Sequence, residues 1–338
     1  MKLKDLATYL GLSPTTVSRA LAGYPDVSPS TRQRVLEAAQ TLGYQPHRLA
    51  QRLRKGRTEA VGVVVPATRG EFTDPFFLEL LAGLGEGLAK KGLELLVATS
   101  SPGPEELATY RRLVEGRRVD ALVVARTRVV DERIRYLLSK GFPFVAHGRS
   151  DGLGNAFPYL DMDGTLGFYR ATQHLLDLGH RRIAFIGAPQ AYNFARYRLE
   201  GYLWALRESG LEPPAGYILE AEPTEEGGLR ATMDLLSLAQ APTAILAATD
   251  RIAWGVLHGL KQRGFWPGRE VSVIGYDDLP FSRYTDPPLS TLRQPFREEG
   301  HRLVELLLGR LQGEPLETLQ EVWVPELVLR GTDGPAPS

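Results

Sequence analysis

Cysteine is absent from all 338 residues, which excludes disulfides, thiolate metal sites and cysteine nucleophiles. The six histidines are scattered without metal-ligand spacing, so neither a metal nor another cofactor is expected. No apolar run reaches the length of about 18 residues that a membrane span needs. Lys2, Lys4, Asp5 and Arg19 interrupt the segment where a secretory signal would need an unbroken apolar stretch, so a cytoplasmic location is expected. Net charge is missing too, because 40 basic and 40 acidic residues cancel. That cancellation hides an asymmetry. Residues 1–57 hold ten Lys and Arg against Asp5, Asp26 and Glu37, a net +7, which leaves −7 on the rest of the chain. A basic head on an acidic body attracts phosphates at one end only. With 43% hydrophobic residues, the chain is long enough for one small domain and a larger two-lobed one.

In the head, Leu3, Leu6, Ala7 and Leu10 recur at helical spacing until Gly11 stops them. Ser13 is placed as an N-cap and Pro14 as the first helical residue of a second helix, with Val17, Ala20 and Leu21 inward. Thr15, Thr16, Ser18 and Arg19 are left outside. A third helix, opened by Ser28-Pro29 and running Thr31 to Leu42, places Val35, Leu36, Ala38 and Ala39 inward. Helix, tight glycine turn and helix is the geometry that lets a second helix enter the major groove of DNA.

The run Thr16-Val17-Ser18-Arg19-Ala20-Leu21, followed by Val27-Ser28, Thr31-Arg32, Val35, Ala38-Ala39, Leu42-Gly43-Tyr44 and Pro46, resembles the lactose-repressor (LacI/GalR) family. The resemblance implies base-reading positions at Pro14, Thr15 and Arg19, and backbone phosphate contacts at Leu3, Ser13, Thr16, Ser18, Ser28 and Thr31. Ala22 departs from the Asn that many relatives carry. Residues 47–54 match the family's hinge helix, in which Leu53 holds the place of a leucine wedged into the minor groove, with Arg54 beside it. An ordinary basic linker helix is the alternative for this segment. The implied organisation is a helix-turn-helix domain at 1–46, a hinge at 47–57, a two-lobed domain at 58–330 and a tail at 331–338. The tail lacks leucine heptads, so a homodimer rather than a tetramer is expected.

Beyond the head, apolar runs at Ala60–Val65, Leu93–Thr99, Ala121–Ala125, Pro143–Ala146, Ile183–Gly187, Ala244–Ala248 and Val271–Gly275 alternate with amphipathic stretches. This is the pattern of a parallel α/β fold, which binds ligands at the carboxyl ends of its strands. Gly179-His180-Arg181-Arg182-Ile183, Val273-Ile274-Gly275-Tyr276-Asp277-Asp278 and Pro287-Pro288-Leu289-Ser290-Thr291-Leu292 extend the family resemblance and imply a domain of periplasmic-binding-protein type. It implies a small-molecule effector, a sugar before a purine-like base, held by Phe76, Phe77, His147, Tyr192, Arg198, Thr249 and Asp277. Core packing is the alternative for the two Phe, and capping the next turn is the alternative for Asp277. His147 stands where an Asp is common among relatives, Thr249 where an Asn or similar residue is, and Pro223 about where several have a stacking aromatic.

Two other readings compete. Asp161-Met162-Asp163-Gly164-Thr165-Leu166 resembles the nucleophile loop of haloacid-dehalogenase phosphatases, with Thr249, Lys261 and Asp277-Asp278 as conscripted partners. That loop follows several strands rather than the first, and the family match makes it a helix N-terminus. The large domain could also serve as a sugar-binding module without DNA, against which the basic head argues. Gly83-Leu84-Gly85-Glu86-Gly87 falls inside an expected helix, so it implies helix packing and no dinucleotide. The sequence thus points to a non-enzymatic, sequence-specific transcription regulator, a repressor, binding operator DNA under effector control.

Overall fold

The computed structural model describes residues 3–44, 58–67, 74–101 and 103–337. The expected hinge, with Leu53 and Arg54, lies outside the described residues. The chain divides into two units, Met1–Thr58 and Glu59–Ser338.

The first unit has three helices, α1 (Leu3–Leu10), α2 (Pro14–Leu21) and α3 (Pro29–Thr41). Gly11 ends α1 at φ +64, a conformation that glycine adopts without strain. Ser13 caps α2 by accepting the Thr16 amide at 3.0 Å, and Ser28 caps α3 by accepting the Thr31 amide at 3.2 Å. Leu6, Ala7, Val17, Ala20, Val27, Val35, Ala38 and Ala39 form the core. Leu36 differs from the sequence expectation, being 50% exposed. It sits about 100° around α3 from Val35, beyond the stripe set by Val35, Ala38 and Ala39.

The second unit contains two six-stranded sheets. The first lobe uses β1 (Ala60–Pro66), β2 (Glu94–Ser100), β3 (Ala121–Val124), β4 (Phe144–His147) and β5 (Tyr159–Met162). It also holds helices α4 (Pro75–Ala89), α5 (Pro104–Glu115) and α6 (Glu132–Ser139). The chain then enters the second lobe through α7 (Gly164–Asp177), β6 (Ile183–Gly187), α8 (Asn193–Glu208), β7 (Ile218–Glu220) and α9 (Glu225–Leu236). This lobe continues with β8 (Ala244–Ala247), α10 (Asp250–Gln262), β9 (Ser272–Asp277) and β10 (Ser290–Arg293). It returns to the first lobe as α11 (Phe296–Gln312) and β11 (Gln320–Trp323), and ends in the second as β12 (Glu326–Val328).

The sheet orders are β2-β1-β3-β4-β5-β11 and β7-β6-β8-β9-β10-β12, parallel throughout except for β12, which runs antiparallel to β10. Alternation decides which side of the first sheet each residue feeds. Val61, Val63 and Val65 face the core under α4 and α11, whereas Ala60 and Val64 face Tyr110, Leu113 and Ile134 of α5 and α6. The first sheet is therefore covered by helices on two faces. All seven expected strands occur within two residues of their expected limits, and β5, β7, β10, β11 and β12 are additional short strands.

Three connections join the lobes, after β5, after β10 and after β11, so both sets of strand ends meet at one cleft. The Gly83–Gly87 segment lies within α4, and Gly83 and Gly87 are helix contacts: a Cβ on Gly83 would fall 2.1 Å from the Arg297 carbonyl oxygen of α11, whereas one on Gly85 would meet nothing within 4 Å. The segment expected as a tail is pinned to the second lobe. Thr332 is buried, accepts the Ser290 amide at 2.8 Å and donates to the Val273 carbonyl at 2.7 Å.

Candidate functional sites

In the first unit, Pro14 and Thr15 are exposed on α2, and Thr16, Ser18 and Arg19 are partly exposed beside them. Burying Val17 and Ala20 on the opposite stripe is what turns them outward. Hydroxyls pair at both helix starts, Ser13 with Thr16 at 2.8 Å and Ser28 with Thr31 at 2.8 Å. Those N-terminal turns present backbone N–H groups and suit phosphate oxygens. Leu3 packs partly against the core. Arg19 is held by Asp26 at 2.7 Å, and its guanidinium lies 4.7 Å from the Tyr24 ring centroid. Asp26 was unremarked in the sequence except as a charge.

In the second unit, the interlobe cleft is lined from both lobes by aromatic, charged and small polar side chains. Phe76 lines it from the start of α4, where Asp74 caps the helix by accepting the Phe76 amide at 3.1 Å. Phe296 meets Phe76 edge-on at 4.9 Å, and His147 stands 5.5 Å from the same ring. Phe77 is turned away. One residue along a helix is about 100° around its axis, and this ring is buried in the first-lobe core. It supports the site indirectly, 4.8 Å from the Arg126 guanidinium, which lines the cleft.

Arg198 enters from α8 and is 6% exposed. Gly164 makes room for it, since a Cβ there would stand 3.2 Å from the Arg198 Cγ. Its guanidinium is sandwiched by aromatic faces, 3.5 Å from the Tyr276 centroid and 4.7 Å from that of Phe194. One Nη donates to the Ala248 carbonyl, the other stands 3.9 Å from Asp277, and Nε is sealed from solvent without a partner. Asp277 ends β9 at φ +126, and burial raises its pKa well above the ordinary carboxylate value against the opposing pull of Arg198.

His147 lies 2.9 Å from Glu299, whose carboxylate also accepts from Gln294 at 3.2 Å. Thr249 lines the cleft and caps α10 by accepting the Ile252 amide at 3.2 Å. Tyr192 lies elsewhere: it stacks on Phe194 at 5.6 Å and lines a separate outer groove with Arg128 and Glu222. The loop that carries it is tied to the first lobe by a backbone bridge to Arg128, which turns it away from the cleft.

The sequence reading did not single out Asp74, Arg126, Arg251, Gln294 or Phe296 as ligand residues. Asp74-Pro75 at a helix start was the available signal for the first, and position 126, just past an apolar strand, for the second. Asp74 pairs with Arg126 and stands 3.9 Å from Arg251 of the opposite lobe. Arg251 also grips Glu225 through Nε at 3.0 Å and Nη2 at 2.8 Å. Asp161 lines the cleft and pairs with Arg149 at 2.6 Å, and burial raises its pKa despite that cation. Each of these guanidiniums thus has a carboxylate partner.

Of the phosphatase constellation, Asp161, Thr249 and Asp277 line one cleft, but Lys261 does not join them. Asp163 caps α7 by accepting the Leu166 amide at 2.8 Å. Thr249 and Lys261 stand at opposite ends of α10, about 18 Å apart along its axis. Lys261 is directed to Asp286 at 3.5 Å, near the surface.

Residues 2–47 match the family described as bacterial regulatory proteins, lacI family, and residues 172–332 match the periplasmic binding protein-like domain. The HTH-type transcriptional regulator AglR of Rhizobium meliloti (strain 1021) is 40% identical over 340 residues, covering 100% of this chain and 95% of its own. RafR of Escherichia coli is 37% identical, covering 96% of each. Among solved structures, a complex of the transcriptional regulator CelR with cellobiose has a TM-score of 0.76 at 31% identity, covering 98% of this chain and 99% of that one. The lac repressor dimer bound to operator and the anti-inducer ONPF has a TM-score of 0.84 at 27% identity, covering 98% of each chain.

Proposed function

The chain belongs to the LacI family of bacterial regulatory proteins and is a DNA-binding transcription regulator; we propose that it is a homodimeric repressor released or recruited by a neutral sugar. The first unit binds a pseudo-palindromic operator, with Pro14, Thr15 and Arg19 toward base edges and the capped starts of α2 and α3 toward phosphates. The second unit is the sensor. A ligand that fits one lobe arrangement better than another shifts their populations, and operator affinity follows by linkage.

The observation that carries the sugar reading is the paired charge of the cleft. Arg126 with Asp74, Arg198 with Asp277, Asp161 held by Arg149 from outside the lining and Arg251 held likewise by Glu225 supply donors and acceptors with little net charge. Hydroxyls use both kinds of group, and the Phe76 and Phe296 rings suit the apolar face of a pyranose. A phosphorylated ligand would need cations without partners. The cellobiose held by CelR supports the same class.

In this reading the chain has no catalytic role and acts in the cytoplasm, where its operator is; no helix among the described residues is long and apolar enough to cross a membrane. The dimer reading is supported by aromatics left at the surface, with Trp254 against Phe281 at 4.6 Å and Tyr284 82% exposed. Thermal-shift titration with neutral mono- and disaccharides, sugar phosphates and nucleobases tests the ligand class. Stabilisation by a neutral sugar is the expected result, and stabilisation by nucleobases or sugar phosphates alone would overturn it.

A further inference from the structure

In the basic head, Asp26 is joined to a residue of the DNA-reading helix by a charge contact. Its carboxylate lies 2.7 Å from an Arg19 Nη, with the two side chains 53% and 42% exposed. The turn between α2 and α3 is folded to hold this arrangement. The Tyr24 amide donates to the Arg19 carbonyl at 3.1 Å, the Val27 amide donates to the Tyr24 carbonyl at 3.3 Å, and Arg32 donates to the same Tyr24 carbonyl at 2.7 Å. Tyr24 thereby sets its ring beside the guanidinium, and Asp26 takes one end of it. A carboxylate on a face that meets polyanionic DNA weakens general attraction, so its placement calls for a compensating role.

We propose that Asp26 is a specificity-determining residue, which orients the guanidinium of Arg19 toward a base edge and withholds its charge from phosphates. An unrestrained arginine reaches any nearby phosphate, in any sequence. One held at an Nη by Asp26 and along its face by Tyr24 keeps a fixed edge of N–H donors, the geometry that recognises O6 and N7 of guanine. Asp26 therefore lowers binding to random DNA more than binding to the operator. The proposal rests on Arg19 reading a base.

The test uses the full chain and an operator selected by the wild-type protein from random duplexes. Affinities are measured for that operator, for each single base-pair change in a half-site and for a random duplex. Arg19→Ala should lose roughly ten- to a hundredfold of discrimination at one base pair. Asp26→Ala and Asp26→Asn should each lose about two- to fivefold at that same base pair, the scale of an exposed ion pair. They should also bind random duplex more tightly, with a salt dependence steeper by about 0.9 log units per log unit as Arg19 turns to a phosphate. Asp26→Glu should restore part of the discrimination, and Asp26→Ala should lose nothing further in an Arg19→Ala background.

Uniform weakening on operator and random duplex, or an equal Asp26 effect with and without Arg19, would overturn the proposal while leaving Arg19 as a base reader. If Arg19→Ala flattens no position, base reading by Arg19 falls and the proposal falls with it.

Discussion

Arg198→Lys separates the geometry of the cleft from its charge. Lysine keeps a cation near Asp277 but removes the fork that Phe194 and Tyr276 hold flat. Arg198 Nε is sealed from solvent, one Nη donates to the Ala248 carbonyl, and the other stands 3.9 Å from Asp277, too far for a hydrogen bond, so that last Nη is the donor open to a ligand. Hydrogen bonds from a charged donor contribute about 1.5–3 kcal/mol each. A lysine ammonium, a single point charge in place of that fork, does not set a donor at the same place, so the loss is about 1.5–3 kcal/mol, or roughly ten- to a hundredfold in affinity. Calorimetric titration with the neutral sugar that most stabilises the wild type reads this directly. Operator affinity without sugar, followed by anisotropy, should stay within about twofold, because the perturbation lies in the second unit. An unchanged sugar affinity would show that the fork does not touch the ligand, and the assignment of Arg198 would be wrong.

Other outcomes follow from the same geometry. Burial raises the pKa of Asp250 to about 6, although Ser282, Thr291 and the Leu279 amide all donate to it. Between the unfolded value near 3.8 and the folded value near 6, the folded chain holds a proton that the unfolded chain has lost, so stability falls as pH rises through that window. The melting temperature of the wild type relative to Asp250→Asn should therefore drop from pH 4 to pH 6.5, and a flat difference would refute the assignment. Phe76→Ala should weaken sugar binding about tenfold in calorimetry, through lost aromatic contact, whereas Phe77→Ala should mainly lower thermal stability, by about 3–5 kcal/mol at a buried site; equal ligand effects would contradict the division made here. Gly83→Val should destabilise the first lobe, read as a lower melting temperature, since its side chain meets the Arg297 carbonyl of α11. Specific operator binding should weaken by about 0.9 log units per log unit of salt for each phosphate contact, and a salt-independent affinity would contradict electrostatic docking by the basic head.

Much of this was readable from local chemistry. The Gly11 stop and the Ser13 and Ser28 caps act within a few residues of themselves, so their sequence signals survived folding unchanged. Strands buried on both faces read as apolar runs for the same reason. The five short strands did not, because three or four residues such as Gln320–Trp323 or Glu326–Val328 take their conformation from a neighbour rather than from their own pattern. Leu36 shows the limit of hydrophobicity alone, since its angle around α3 overrides its apolarity. In the cleft, the family resemblance points to Phe76, Arg198 and Asp277, which line it, and to Phe77 and Tyr192, which do not; Phe194, two residues beyond Tyr192, lines it without any signal in the sequence reading. Arg251 and Asp74 are more than 170 positions apart in the chain and meet only because the two sheets point their strand ends at one cleft.

The central claim is that sugar binding and operator binding are coupled in one chain. Operator affinity by fluorescence anisotropy, titrated with and without saturating neutral sugar, tests it most directly. Coupling of about 1–3 kcal/mol predicts a shift of at least about fivefold, in either direction, and the reciprocal titration must give the same factor for the effect of operator on sugar affinity. A sugar that binds tightly yet leaves operator affinity unchanged would contradict the account.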